Sequence, residues 1–274
     1  RLAVVGCHRL LEEGDGPALV FDIGGGSTEL VIVDTSGEEP RTLDWLSVPW
    51  GVFSLAESEG PDPDCLDERL AAYERMRTRV AESFTDFAER QPGGRSDLRL
   101  LGTSGTVTTL ASVHLGLPSY DRKLVDGLIV PSEAMRGIST NLSRRSLAER
   151  AKLACIGQER ADLVVAGCAI LEAILDIWPA PRVGVADRGI REGILRQLMR
   201  LGARLLDLGV DPWDVASHLF ERWEPERMAL LGAVLSTLRV EAHGRIAMTH
   251  VDRTMLARAR ATDEMIEGMV NYGR

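Results

Sequence analysis

The stretch Asp22-Ile23-Gly24-Gly25-Gly26-Ser27-Thr28-Glu29 constrains the fold most, because it joins two apolar runs too short to be helices. Ala18 to Asp22 (ALVFD) precedes it, and Glu29 to Asp34 (ELVIVD), rich in β-branched residues, follows it. Arg41 to Val48 alternates loosely and makes a third run. Short β-branched runs separated by glycines read as strand, tight turn, strand, turn, strand. Three glycines can adopt positive φ and leave successive N–H groups exposed, and such amides form a concave site for phosphate oxygens. Ser27 and Thr28 add hydroxyl donors. Asp22 and Glu29 flank the loop, and carboxylates beside a phosphate act through a divalent cation or orient water. The alternative is a structural Gly-rich hairpin with solvated carboxylates.

The remaining pattern mixes helices with strands. A 3.6-residue stripe from Leu66 to Phe87 marks a helix over about Pro63 to Arg90, stopped by Gln91-Pro92-Gly93-Gly94. Leu98 to Gly102 reads as a strand, followed by Thr103-Ser104-Gly105-Thr106 and a helix through His114. Pro131-Ser132 opens another helix, with Ser132 as its N-cap. Helices follow over Ser146 to Ile156 and Arg160 to Ile177, then a strand over Pro181 to Val185 and a helix from Asp187 to about Leu201. A module boundary is expected near 200. Beyond it the sequence predicts helices over Ala203 to Leu208, Pro212 to Glu221 and Pro225 to Leu238. A hairpin over Arg239 to Val251 with His243-Gly244 at its turn follows, then a last helix over Asp263 to Val270.

Two further segments carry chemistry. Gly102-Thr103-Ser104-Gly105-Thr106 passes from strand to helix, and helix N-termini attract anions; an ordinary Ser/Thr cap explains the same residues. In Ala186 to Gly193 (ADRGIREG), Arg188 and Arg191 share a helix face, and guanidinium forks match phosphate oxygens. An ion pair of Arg188 with Glu192 fits that spacing equally well. With 32 basic and 41 acidic residues, the net charge is −9, which argues against sequence-specific nucleic-acid binding. No apolar run approaches the roughly 20 residues of a membrane span, so no membrane partner is expected. Cys7, Cys65, Cys155 and Cys168 lack metal spacing and read as buried free thiols, consistent with a reducing cytoplasm.

The three motifs, in this order, resemble the second half of the exopolyphosphatase / guanosine pentaphosphate phosphohydrolase (Ppx/GppA) family over residues 1–200. Arg1-Leu2-Ala3, SVPWG (47–51), ERADLVVAGCAILE (159–172) and Asp187 to Gly193 extend the likeness. The first loop alone is also found in Hsp70-like, actin-like and sugar-kinase relatives. The resemblance implies an α/β, actin-like (ribonuclease-H-like) half with a mixed sheet and flanking helices, followed by a mostly helical C-terminal segment. It implies water attack on a terminal phosphoanhydride of polyphosphate or guanosine pentaphosphate, with Mg²⁺ present. By position, Asp22 and Glu29 would hold metal or water as catalytic residues. Gly24, Gly25, Gly26, Ser27 and Thr28 would cradle phosphate, with Gly102, Thr103, Ser104, Gly105, Arg188 and Arg191 as further phosphate contacts. The family's first phosphate loop, and a catalytic glutamate just ahead of the Arg-Leu at positions 1 and 2, fall outside this chain, so little activity is expected from it alone. Exposed apolar surface is then expected to favour aggregation or a homodimer. A non-catalytic phosphate- or nucleotide-binding module is the other reading. Residues 203–274 resemble an internal part of DHH-type nanoRNase/oligoribonuclease phosphoesterases, without that family's Asp-His-His cluster, so no nuclease chemistry is expected.

Overall fold

The computed structural model describes residues 2–14, 16–37, 40–90, 98–216, 225–241 and 246–266. Two compact units divide the chain at Arg200/Leu201. The first is built on six strands: β1 (Ala18–Ile23), β2 (Thr28–Asp34), β3 (Arg41–Val48), β4 (Arg99–Thr103), β5 (Ile129–Pro131) and β6 (Arg182–Ala186). Their order is β3-β2-β1-β4-β6-β5. β1, β4 and β6 run parallel; β2 and β3 continue antiparallel on one side and β5 closes the other.

Period-2 alternation sorts the strand residues onto two faces. Leu19, Phe21, Ile23, Leu30, Ile32, Leu100, Val183 and Val185 bury themselves in the main core. That core also takes the apolar faces of α3 (Leu66–Glu89), α4 (Gly105–His114), α6 (Ser132–Arg144) and α9 (Val164–Ile177). The opposite face carries Ala18, Val20, Val33, Leu101 and Ala186, covered by Val4 and Cys7 of α1 (Leu2–Cys7). Asp22 and Glu29 pair across β1 and β2, and alternation puts them on this second face.

Several boundaries depart from the sequence reading. α2 (Val52–Glu59) and the three-residue β5 were not foreseen: one is a short amphipathic turn-pair, the other too brief to show alternation. The segment expected as two helices over 146–177 is three, α7 (Leu147–Ala151), α8 (Gly157–Arg160) and α9. A capping box fixes the first of them: Ser146 N donates to Glu149 Oε2 at 2.8 Å, and Ser146 Oγ accepts from Glu149 N. Between β4 and β6 lies also α5 (Arg122–Val125), capped by Asp121. Ser132 is the first helical residue of α6 and not its cap; its hydroxyl is buried without a partner. α10 (Ile190–Asp207) runs on through Gly202, where a break was expected. One glycine in a helix costs only about 1 kcal/mol, which the flanking Leu and Arg residues can offset.

The second unit contains α11 (Pro212–Ala216), α12 (Pro225–Leu235), the pair β7 (Arg239–Glu241) and β8 (Ile246–Met248), and α13 (Arg253–Ala259). A 3₁₀ turn at Asp263–Ile266 stands where the last helix was expected to begin. Leu230, Val234 and Ala259 form its buried core. The expected turn at His243-Gly244, the end of the helix over 212–221 and the end of the helix over 263–270 lie outside the described residues. All four cysteines are free: Cys7 and Cys168 are buried as expected, but Cys155 is half-buried and Cys65 exposed. Among the described residues, no helix is long and apolar enough to cross a membrane.

Candidate phosphate site

Because β1, β4 and β6 are parallel, the segments that leave their C-terminal ends emerge at one edge of the sheet. These are the 24–27 loop, the 104–106 elbow and the 187–192 segment. Register makes them neighbours, with Asp22 opposite Thr103 and Thr103 opposite Ala186. Such an edge is where open α/β sheets collect ligands.

The glycine loop is a four-residue turn closed by Gly24 N donating to Ser27 O at 2.9 Å. Its carbonyls are held from behind, since Val52 N donates to Gly24 O (2.9 Å) and Phe53 N to Gly25 O (2.8 Å). The first turn of α2 thus consumes the loop's acceptors. The amides of Gly25, Gly26 and Ser27 have no hydrogen-bond partner among the described residues. None of the three glycines has the positive φ that the sequence suggested. Close approach is the reason at two positions instead. A Cβ on Gly25 would lie 2.8 Å from the Phe53 ring, and one on Gly24 would lie 3.0 Å from Ser27 O. Gly51 makes the same contact from the other side, where a Cβ would strike the Gly25 carbonyl and lie 2.6 Å from Gly24 O.

At the second elbow, Ser104 has φ 78° and ψ −178°, a conformation close to glycine's private region. The strain turns the chain sharply from β4 into α4. Ser104 Oγ does not cap the helix; it donates to Ile23 O at 2.6 Å and ties the elbow to the end of β1. The amides of Gly105, Thr106 and Val107 are therefore without partners among the described residues, and the helix dipole adds partial positive charge there. Thr106 seats this first turn against α9 at Gly167, where a Cβ would come within 2.7 Å of the Thr106 hydroxyl.

Gly24, Gly25, Ser104, Gly105 and Thr106 line one cavity of about 390 Å³. Thr109, Glu159 and Arg160 close its far side. Arg160 donates to Thr109 Oγ1 at 2.8 Å and is the one cation among the lining residues described. Sequence reading did not select Arg160 as a site residue. It lies far along the chain, and its one signal was its place in the ERADLVVAG stretch.

Asp22 sits just inside this edge. Burial raises its pKa above the ordinary carboxylate value; the Ser104 and Thr103 hydroxyls pull it back, and Glu29 adds to the rise. Thr103 Oγ1 lies near enough to favour the charged Asp22, yet it completes no hydrogen bond and is buried without a partner. Glu29 Oε1 accepts from Ser27 Oγ (2.7 Å) and Ser47 Oγ (2.9 Å). Among the described residues no group of three or more His, Cys, Asp or Glu is arranged to hold a metal. Two carboxylates opposite one another suit a cation that keeps waters and substrate oxygens as its other ligands.

Other expected contacts are placed elsewhere. Thr28 is fully buried and its hydroxyl donates to Trp50 O at 2.6 Å, so it grips the chain and not a ligand. Gly102 is a packing glycine, since a Cβ there would lie 2.7 Å from the Phe21 ring and the Val107 methyl. Arg188 pairs with Asp126 at 2.6 Å, not with Glu192. Glu192 instead accepts from Gly189 N (2.8 Å) and from Arg122 (3.0 Å). Arg191 is exposed, and neither arginine lines the cavity.

Comparison with known proteins falls on this first unit. A family model described as the Ppx/GppA phosphatase family matches residues 1–201. The exopolyphosphatase 1 of Mycobacterium tuberculosis is 30% identical over 202 residues, covering 72% of this chain and 56% of that protein. The guanosine-5'-triphosphate,3'-diphosphate pyrophosphatase of Aeromonas salmonicida is 28% identical over 194 residues, covering 68% of this chain and 34% of that one. A crystal structure of the Aquifex aeolicus Ppx/GppA phosphatase aligns with TM-score 0.56 and 27% identity, over 71% of this chain and 59% of that one. The chain spans about half the length of the exopolyphosphatases it matches. The mixed six-stranded sheet with flanking helices agrees with the actin-like fold of these neighbours.

Proposed function

This chain belongs to the Ppx/GppA phosphatase family, and from that premise we propose that it grips the terminal phosphates of polyphosphate or guanosine pentaphosphate for hydrolysis of a phosphoanhydride bond. One observation carries the reading: two loops from parallel strands, both with unpartnered amides, line a single cavity that also holds Arg160. Phosphoryl transfer asks mainly for positioning and charge stabilisation, and amides fixed in the backbone supply both without reorganising. Gly25, Gly105 and Thr106 would hold phosphate oxygens by N–H donation, with Arg160 neutralising charge at the rim. Asp22 and Glu29 would orient the attacking water or hold magnesium through its waters. When bound, that ion supplies charge neutralisation on the phosphate oxygens. Asp22, half-buried and with its pKa raised mainly by burial, would accept a proton from that water.

The test measures tripolyphosphate binding and phosphate release with magnesium present. Release is followed for the chain alone and with the N-terminal portion of a family member added. Binding, with release that Asp22→Asn lowers by about 10²-fold or more, is the expected result. Binding with no release in either mixture would make this a phosphate-holding module without turnover. Absence of tripolyphosphate binding would end the phosphate reading.

A further inference from the structure

At the end of the sheet next to the phosphate loops, strand register sets five residues in one row, one on each of five strands: Ser47, Glu29, Asp22, Thr103 and Ala186. Residues paired in this way project their side chains from the same face. The two carboxylates stand side by side, with a hydroxyl residue on each flank. Ser47 has used its hydroxyl: Oγ donates to Glu29 Oε1 at 2.9 Å, and Ser27 Oγ donates to the same oxygen at 2.7 Å. Thr103 holds the matching place beside Asp22 and has not used its own.

Thr103 is 1% exposed, and its Oγ1 has no hydrogen-bond partner among the described residues. Burying a hydroxyl that stays unpaired opposes folding, and valine would fill the same strand position with the same branched outline. The row offers one acceptor. Ala186 has no polar side chain, so the carboxylate beside Thr103 is that of Asp22. Cys7, which packs on the same face of the sheet, directs its thiol at Val4 O (3.9 Å). Thr103 is also close enough for its hydroxyl to favour the charged form of the Asp22 carboxyl. Tyr73, Ser132 and Ser139 bury hydroxyls without partners too, but they belong to α3 and α6. Of these four hydroxyls, only that of Thr103 stands in the row with a carboxylate of the site.

We propose that Thr103 is a positioning residue: when the site binds its ligand, the Thr103 hydroxyl donates to the Asp22 carboxylate and fixes its orientation, as Ser47 does for Glu29. A hydroxyl bond to a carboxylate is charge-assisted and directional, so it holds one carboxylate oxygen and leaves the other to act on water. Threonine supplies that donor from a stiff strand position, since its branched side chain has few rotamers to choose from. This gives Thr103 a part different from the phosphate contact that its motif suggested. Resting on the phosphate reading above, the role deepens it: Thr103 acts through Asp22 without touching phosphate.

Titration of the whole chain with tripolyphosphate, with and without magnesium, and urea unfolding of the same variants test this. Thr103→Val is expected to weaken binding in magnesium about tenfold, the scale of one hydrogen bond to a charged group, and to leave the affinity without magnesium unchanged. Its unfolding midpoint should equal or exceed the parent's, because an unpaired hydroxyl leaves the interior. A residue that only packs the strand would lose stability and affinity together. Thr103→Ser, which keeps the donor, is expected to retain most of the parent's affinity. In an Asp22→Asn background the effect of Thr103→Val should fall below about threefold, since a neutral amide accepts more weakly than a carboxylate. The positioning role is overturned, with the phosphate site left standing, by parental affinity of Thr103→Val in magnesium or by an equal loss with and without it. A lowered midpoint alongside the lost affinity, a Thr103→Ser as weak as Thr103→Val, or the full loss in the Asp22→Asn background overturns it equally. No tripolyphosphate binding by the parent protein overturns the phosphate reading and the Thr103 role with it.

Discussion

Asp22 is where the chain's chemistry and its stability oppose each other. Burial favours the neutral carboxyl, so the native state holds this proton at pH values where the unfolded chain has released it. Stability from this group is therefore fully present when Asp22 is protonated. It declines as pH rises from the ordinary aspartate value of 3.8 through the raised native one, and stays lower above it. Asp22→Asn removes that penalty. The variant should melt at higher temperature than the parent near neutral pH, with the gap closing as pH falls toward 4. Thermal melts across a pH series check this; an equal or lower melting temperature at neutral pH would contradict it. Such a trade of stability for activity is what a functional carboxylate is expected to show. Thr28 shows the limit of reading single residues. Its hydroxyl looked like a phosphate donor beside Ser27, yet pleating turns it inward, where Trp50 O takes it. Alternation along a strand separates neighbours onto opposite faces, and sequence proximity says nothing of that.

The site is an agreement between short elements. α2 holds the glycine loop by two backbone bonds to Gly24 O and Gly25 O, and it can do so only because Gly51 and Gly25 approach without side chains. Gly51→Ala forces a methyl into the Gly25 carbonyl, a backbone atom that cannot rotate away. The expected cost is about 1–3 kcal/mol of stability, with a matching loss of tripolyphosphate affinity because the loop amides shift. Urea unfolding and titration measure the two. Full stability with full affinity would show that the loop holds its shape without α2. The second elbow depends likewise on the strained Ser104 and its bond to Ile23 O, which couples the ends of β1 and β4. β1, β2, β3, β4 and β6 were all legible within one residue, because β-branched runs between glycines leave few alternatives. α1, α2 and β5 were not. They are eight residues or fewer, and their periodicity is too brief to separate from a loop.

At the scale of the whole chain, the two units differ in how much they bury. The first has a continuous core between one face of its sheet and four helices, with Trp178 packed against Phe84 and Phe87 at 5.9 Å. Among its described residues, the second has three buried apolar residues in its core cluster. Local opening free energy follows buried apolar contact. Amides of α12 and α13 should therefore exchange with solvent faster than those of β1 and β4. Hydrogen exchange followed by mass spectrometry reads this directly, and equal protection in both units would sink it. The boundary near 200 was visible as a change of character, but the continuous α10 was not. Gly202 and the next apolar stretch looked like punctuation, whereas the helix keeps its hydrogen bonds through them.

What the sequence determined by itself was local. Glycines between β-branched runs force a tight hairpin, a Gly-Thr-Ser-Gly step ends a strand and begins a helix, and a charge of −9 confines any anion site to a small place. Those follow from dihedral freedom, hydrogen-bond demand and Coulomb repulsion within a few residues. What only the tertiary structure decided was company. Gly24, Phe53, Thr106 and Arg160 line one cavity though they are spread over more than half of the first unit. Parallel strands send distant loops to one sheet edge, and close packing then selects which side chains face the space between them.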